Sequence, residues 1–199
     1  MFNIDAFIKT FTYLGVFAII FAESGLLVGL VLPGDSLLFA AGLLASQHVM
    51  NIWLLVVSVI IAAISGNLVG YSIGKKFGPA LFTRSRFLSP SQLKRAEKFF
   101  GSHGGKSVVI GRFVPVVRTI VPLLAGIAKV PVAKFSNYTV IGAVLWGASI
   151  PVAGYYLGTK IPSVDKYVLP VIVIAILVAL IPSLYHLAKQ WSSGPSKDV

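Results

Sequence analysis

Read as hydrophobic and polar positions, the chain is a succession of apolar runs longer than a soluble core needs. Three of them, Ile52 to Ile73, Phe135 to Leu157 and Tyr167 to Leu187, run about 20 residues with almost no charge, enough at 1.5 Å rise per residue to cross a hydrocarbon layer of roughly 30 Å. These are expected to be full transmembrane helices. Two further apolar runs, residues 21–45 and 107–128, are interrupted by Pro33 and Gly34 in the first and by Pro115 and Pro122 in the second. Proline removes a backbone donor and crowds the preceding turn, so a straight helix is disfavoured at each point. Irregular backbone at membrane depth survives when it is buried in protein or lines a wet cavity. The pattern therefore predicts two re-entrant hairpins, Ala22 to Gln47 entering from outside and Ser107 to Ala128 entering from the cytoplasm. The first 20 residues fit either a fourth span or a surface segment.

Composition agrees with membrane residence. The 199 residues are 56% hydrophobic and 12% charged, with a mean hydropathy of +0.88, against roughly 25% charged residues in soluble domains. Lys and Arg outnumber Asp and Glu by 17 to 6, which in a soluble protein would suggest nucleic acid. Here eight of the 17 fall between Lys75 and Lys106 beside one acid, Glu97, as in a cytoplasmic loop facing anionic headgroups, so nucleic acid is not the expected partner. That placement sends 52–73 inward, 135–157 outward and 167–187 inward again, with a cytoplasmic tail at 189–199. Trp53, Tyr71, Tyr138, Tyr155, Tyr167, Tyr185 and Trp191 fall near the expected span ends. Within the basic loop, Ser89-Pro90-Ser91-Gln92 reads as a capped helix start. Leu93, Ala96, Phe99 and Phe100 then share one face opposite Lys94, Arg95 and Lys98, the pattern of an amphipathic helix in the membrane interface. The N-terminus lacks a basic stretch and a small-residue cleavage site, so no removable signal is expected.

An offset of 84 residues aligns Ala41-Gly42 with Ala125-Gly126, and Gly70-Tyr71-x-x-Gly74-x-Lys76 with Gly154-Tyr155-x-x-Gly158-x-Lys160. Each copy contains a Pro-broken apolar segment followed by a span, and the charge-based orientation makes the two spans antiparallel. This is the arrangement of an inverted repeat, common among transporters. The expected fold is an all-α integral membrane domain over residues 1–188, with two opposed hairpins, three to four full transmembrane helices and the cytoplasmic amphipathic helix.

The broken segments carry the chemistry. Glu23 and Asp35 lie in the first, Arg112 and Arg118 in the second. Each would cost roughly 2.5–3.5 kcal/mol on a lipid-facing helix centre. Facing hairpins would bring the four together as a neutral set, still dearer than apolar packing. The plain alternative is salt bridges that only pin the hairpins. Against it, ions kept at membrane depth usually serve transport. Arginine offers phosphate a planar fork of donors that stays charged. A carboxylate among apolar groups takes protons readily unless an arginine holds it ionised. Phosphate binding to Arg112 and Arg118 would thus displace Glu23 and Asp35, which would then take up protons. Cysteine is absent, and His48, His103 and His186 lack metal-ligand spacing, so no metal or other cofactor is expected.

The glutamate of FAESG, the LPGD turn, the run FFGSHGGKSVVIGRFVPVVRTIVPLLAGIAKV and the late GYYLG together resemble the DedA family, also called the SNARE-associated or VTT-domain family. The likeness covers roughly residues 15 to 160, and the G-R-F-x-P-x-x-R-T element from Gly111 to Thr119 is its most specific part. The resemblance implies two opposed re-entrant hairpins and a multi-pass protein of the bacterial inner membrane that depends on the proton motive force. It also implies transport of a lipid phosphate such as undecaprenyl phosphate or a phospholipid, with essential acids at Glu23 and Asp35 and essential arginines at Arg112 and Arg118. Three other readings stay open: a nonspecific scramblase, a small-ion or proton antiporter, and a non-catalytic assembly factor. A lipid phosphatase is disfavoured because no nucleophile is paired with a base. Membrane lipids and protons are the other expected partners, and a homo-oligomer is compatible with the sequence.

Overall fold

The computed structural model describes residues 4–26, 34–84 and 106–160. Among them the chain is built from six helices: α1 (Ile4–Gly25), α2 (Gly34–Ser46), α3 (Ile52–Arg84), α4 (Lys106–Gly111), α5 (Pro115–Ile127) and α6 (Val132–Lys160). The expected amphipathic helix after Ser89, the span at 167–187, the tail at 189–199 and Pro33 lie outside the described residues.

Among the described residues two helices are long and apolar enough to cross a bilayer: Ile52–Gly78 within α3, 27 residues at mean hydropathy 2.4, and the whole of α6, 29 residues at 1.5. The start of α3 is fixed by Asn51, whose Oδ1 accepts from the N–H groups of Trp53 (2.9 Å) and Leu54 (3.2 Å), two donors a helix start leaves unpaired. The exposed side chains are mostly apolar, including Trp53, Leu54, Val57 and Ile61 on α3 and Val140, Ile141, Val144 and Leu145 on α6. Glu23, Arg112 and Asn67 are buried. Apolar outside and charged inside inverts the soluble pattern and suits lipid as solvent.

The contacts fix the helix directions. Tyr13 on α1 meets Asn51, where its hydroxyl accepts the Asn51 N–H at 2.6 Å, while Gly25 abuts Gly66, so α1 and α3 are parallel. Phe135 stacks on Tyr71 at 4.8 Å and Gly147 abuts Val59 and Ile60, so α6 is antiparallel to α3. On α2, Gly42 meets the Pro151 carbonyl and Ser46 meets Gly158, which makes α2 parallel to α6 and hence opposed to α1. On α5, Pro122 meets Gly70 and Ile127 meets Gly78, so α5 is parallel to α3. Each short helix therefore crosses the long helix of the other half of the chain, α2 on α6 and α5 on α3.

The glycines that carry the 84-residue match are the crossing points. A Cβ at Gly42 would run into the Pro151 carbonyl, at Gly154 into that of Phe39, at Gly126 into that of Tyr71 and at Gly74 into that of Leu123. Only hydrogen in place of a side chain lets these backbones approach so closely. Both α2 and α5 end in the same cap. A left-handed residue, His48 (φ 60) or Lys129 (φ 52), is followed by an N–H that reaches back five residues, Val49 to Leu44 and Val130 to Ala125. The caps are 81 residues apart, three fewer than the glycine pairs.

Two expectations change. Ala22, the expected start of the first hairpin, lies near the end of a helix that begins at Ile4 and runs 22 residues to Gly25. The apolar run around Glu23 tolerates helix throughout, so its reversal falls after Gly25. In the second segment Pro122 is no break, since α5 passes through it. The chain turns at 112–114 instead, and Pro115 opens α5, where a missing N–H costs no helical bond.

Candidate functional site

Each charge arrives from a different helix end. Glu23 is in the last turn of α1 and Asp35 in the first turn of α2. Arg112 is in the turn after α4, and Arg118 is the fourth residue of α5. Glu23 at a helix C-terminus and Arg118 at a helix N-terminus each oppose the local helix dipole. They compensate one another: Arg118 Nη2 donates to Glu23 Oε1, and its Nη1 donates to Asp35 Oδ1 at 2.5 Å. One planar guanidinium thus ties α1, α2 and α5 together. The Glu23 side chain is 2% exposed and that of Asp35 39%, so one carboxylate is sealed and the other opens outward. Gly34 makes this possible, because a Cβ there would occupy the position of the Glu23 carboxylate.

Two by two pairing does not occur. Both acids are on Arg118, and Arg112, 4% exposed, has no carboxylate in salt-bridge range among the described residues. Its Nη1 donates to the side-chain oxygen of Asn67 at 2.6 Å, while the Asn67 amide nitrogen donates to the Ser24 carbonyl at 2.8 Å; these neighbours fix the amide orientation. The other support is aromatic. The guanidinium carbons of Arg112 and Arg118 both lie over the ring of Trp146, each 5.1 Å from its centre, a contact worth about 0.5–2 kcal/mol per cation. Trp146 Nε1 donates to Asp35 Oδ1 at 2.9 Å.

Trp146 stands 14 residues from either end of α6, and Asn67 is 15 residues from the start of the Ile52–Gly78 span, about 22 Å along the helix. The cluster thus sits midway along both long helices. Between the two arginines is a cavity of about 10 Å³ lined by Asn67, Val108, Arg112, Arg118, Val121 and Pro122, room for one water and too little for a phosphate. Glu23 Oε2, Arg112 Nε and Arg118 Nε are buried without a hydrogen-bond partner among the described residues. The arrangement is closed, with both guanidinium groups lining a small void and both carboxylates held by Arg118.

Asn67 and Trp146 were not among the expected site residues. Each carried a signal. Asn67 is a lone amide in a span of mean hydropathy 2.4, and Trp146 lies in the middle of a span, whereas tryptophan in membrane proteins concentrates at the interfaces.

The VTT domain family model matches residues 32–156, a stretch that includes Asp35, Asn67, Arg112, Arg118 and Trp146 and stops short of Glu23. The chain belongs to the DedA family. It is 42% identical over 182 residues to protein DedA of Escherichia coli, covering 89% of this chain and 83% of that protein. An uncharacterised membrane protein of Mycobacterium leprae is 40% identical over 185 residues, 90% of this chain and 82% of its own length. Inner membrane protein YqjA of Escherichia coli is 34% identical over 157 residues, 78% of this chain and 71% of its own. No solved structure matches. This DedA-family protein is therefore a membrane protein, as its apolar exterior requires.

Proposed function

We propose that this DedA-family protein carries a lipid phosphate, such as undecaprenyl phosphate or a phospholipid, across the bacterial inner membrane at the expense of the proton motive force. The observation that supports this most is Arg112: a buried guanidinium midway along the spans, with an amide and an indole ring for support where a carboxylate would be expected. A buried cation without its counter-ion is costly, and an anionic ligand removes that cost. The first turns of α2 and α5, carrying Asp35 and Arg118, both open at the cluster, and helix N-termini favour anions.

In this reading α1 with α2 enters the bilayer from outside, and α4 with α5 enters from the cytoplasm, so that both hairpins end at mid-depth. In the closed arrangement both acids are held by Arg118. A phosphate reaching Arg118 competes with Glu23 and Asp35, and the displaced carboxylates, no longer held ionised by the guanidinium, take up protons. Asp35, the more exposed acid, provides the proton path.

The test is Arg118→Lys. A lysine keeps the charge but replaces the planar fork, which grips two partners at once, by a point charge. The variant is expected to insert normally, to bind purified lipid phosphate poorly and to fail to complement loss of the wild-type protein. Full complementation would exclude a bidentate phosphate role. In reconstituted vesicles, lipid movement that persists without a proton gradient would favour the scramblase reading.

A further inference from the structure

The proposal above uses four charged residues and leaves the centre of the cluster unexplained. Two guanidinium groups on the same short segment of chain lie against one another's field, and the acids that could separate them are both engaged by Arg118. What the two share is the Trp146 ring, fully buried at 2% exposure. The same side chain holds Asp35 from its opposite, polar edge. We propose that Trp146 is a positioning residue with two separable roles: its ring face holds Arg112 and Arg118 convergent for an anionic headgroup, and its N–H holds Asp35 against Arg118 in the closed state. The inference rests on the phosphate reading of the arginines and adds a division of labour within it.

A phosphate needs both guanidinium groups aimed at one point before it arrives, because orienting them afterwards would consume binding energy. An indole ring attracts both cations through its face without neutralising either and without competing for the phosphate oxygens. A carboxylate in that place would hold the arginines more tightly and exclude the ligand. The N–H works in the opposite sense. Its bond to Asp35 Oδ1 shares the oxygen that Arg118 Nη1 engages, so the carboxylate is restrained from two sides, and a phosphate must displace it from Arg118 against both. The ring therefore favours binding and the N–H opposes it. Trp146 connects α6 to α2, α4–α5 and their charges at the midpoint of α6, where a rigid two-dihedral side chain transmits position better than a flexible one.

The two roles separate by substitution. Trp146→Phe keeps an aromatic face and removes the N–H, whereas Trp146→Leu removes both. The probe is dodecyl phosphate, with dodecanol as the uncharged control, titrated into the purified full-length protein in detergent. Dodecyl phosphate is expected to bind the Phe variant about 3- to 10-fold more tightly than wild type, since one charged hydrogen bond no longer restrains Asp35. It is expected to bind the Leu variant about 3- to 30-fold more weakly, the worth of one or two desolvated cation–ring contacts. Opposite signs are the outcome a merely structural tryptophan cannot give, since loss of packing weakens both variants alike. Equal weakening in the two, or no change in either, overturns the inference while leaving the arginine site intact.

Failure of the wild-type protein to distinguish dodecyl phosphate from dodecanol would instead overturn the phosphate reading. The ring contacts then have their own readout. In Trp53→Phe/Trp191→Phe protein, where Trp146 is the remaining indole, fluorescence emission is expected to change on adding Arg112→Lys or Asp35→Asn. An unchanged spectrum in both would show that the ring does not sense the cluster and would overturn the inference independently of any ligand.

Discussion

Arg118→Gln tests the energetics of the cluster most directly. The wild-type set is formally neutral, two acids against two arginines, but the geometry concentrates both acids on one guanidinium. Removing that group leaves two carboxylates with no cation in salt-bridge range among the described residues, and breaking a buried ion pair from one side costs about 3–5 kcal/mol. The two acids should not share this cost equally. Glu23, at 2% exposure, has no water to fall back on, whereas Asp35, at 39%, is partly solvated and keeps the indole N–H, and pairs exposed to that degree contribute about 0–1 kcal/mol. The expected loss therefore sits almost wholly on Glu23, a roughly 10²- to 10⁴-fold fall in the folded-to-unfolded ratio. Thermal unfolding of purified protein in detergent, followed by retention on size-exclusion chromatography, measures it. Arg118→Gln should be markedly less stable than wild type, Glu23→Gln in that background should restore most of the loss, and Asp35→Asn should restore little. Equal rescue by the two neutral substitutions, or an Arg118→Gln protein as stable as wild type, would refute the reasoning from burial.

Arg112 and the helix crossings can be tested in the same way. Asn67→Asp gives Arg112 the carboxylate it lacks while losing the amide's bond to the Ser24 carbonyl; the variant should bind dodecyl phosphate more weakly than wild type, and stronger binding would show that Arg112 is not an anion ligand. Gly42→Ala and Gly126→Ala each force a methyl group into a facing backbone carbonyl and should lose about 1–3 kcal/mol by overpacking, seen as a lowered unfolding temperature. Gly15→Ala, with open space around it, should be neutral or slightly stabilising because alanine favours helix.

Much of this protein was legible in its residues. Spans at 52–73 and 135–157 followed from hydropathy and length, and the structure extends them to Gly78 and over Val132–Lys160. The four charges were visible as anomalies in apolar runs, and the glycines of the repeat were visible as a match at fixed spacing. These are local properties: an apolar run, a proline, a charge in the wrong solvent can each be judged without knowing its neighbours. Pro122 shows where such judgement stops. Proline lowers helix propensity by a fixed local amount, but α5 is packed on α3 across Gly70 and Gly74, and that packing outweighs the lost bond. Which arginine takes the acids, why Asn67 and Trp146 stand where they do, and which half of the chain each short helix crosses depend on residues up to 111 positions apart, as from Asp35 to Trp146. The sequence by itself determined the solvent this chain folds in and the charges it must hide there. Only the tertiary structure decided how those charges are paired, because pairing is a matter of distance between helix ends that no pattern along one strand of chain contains.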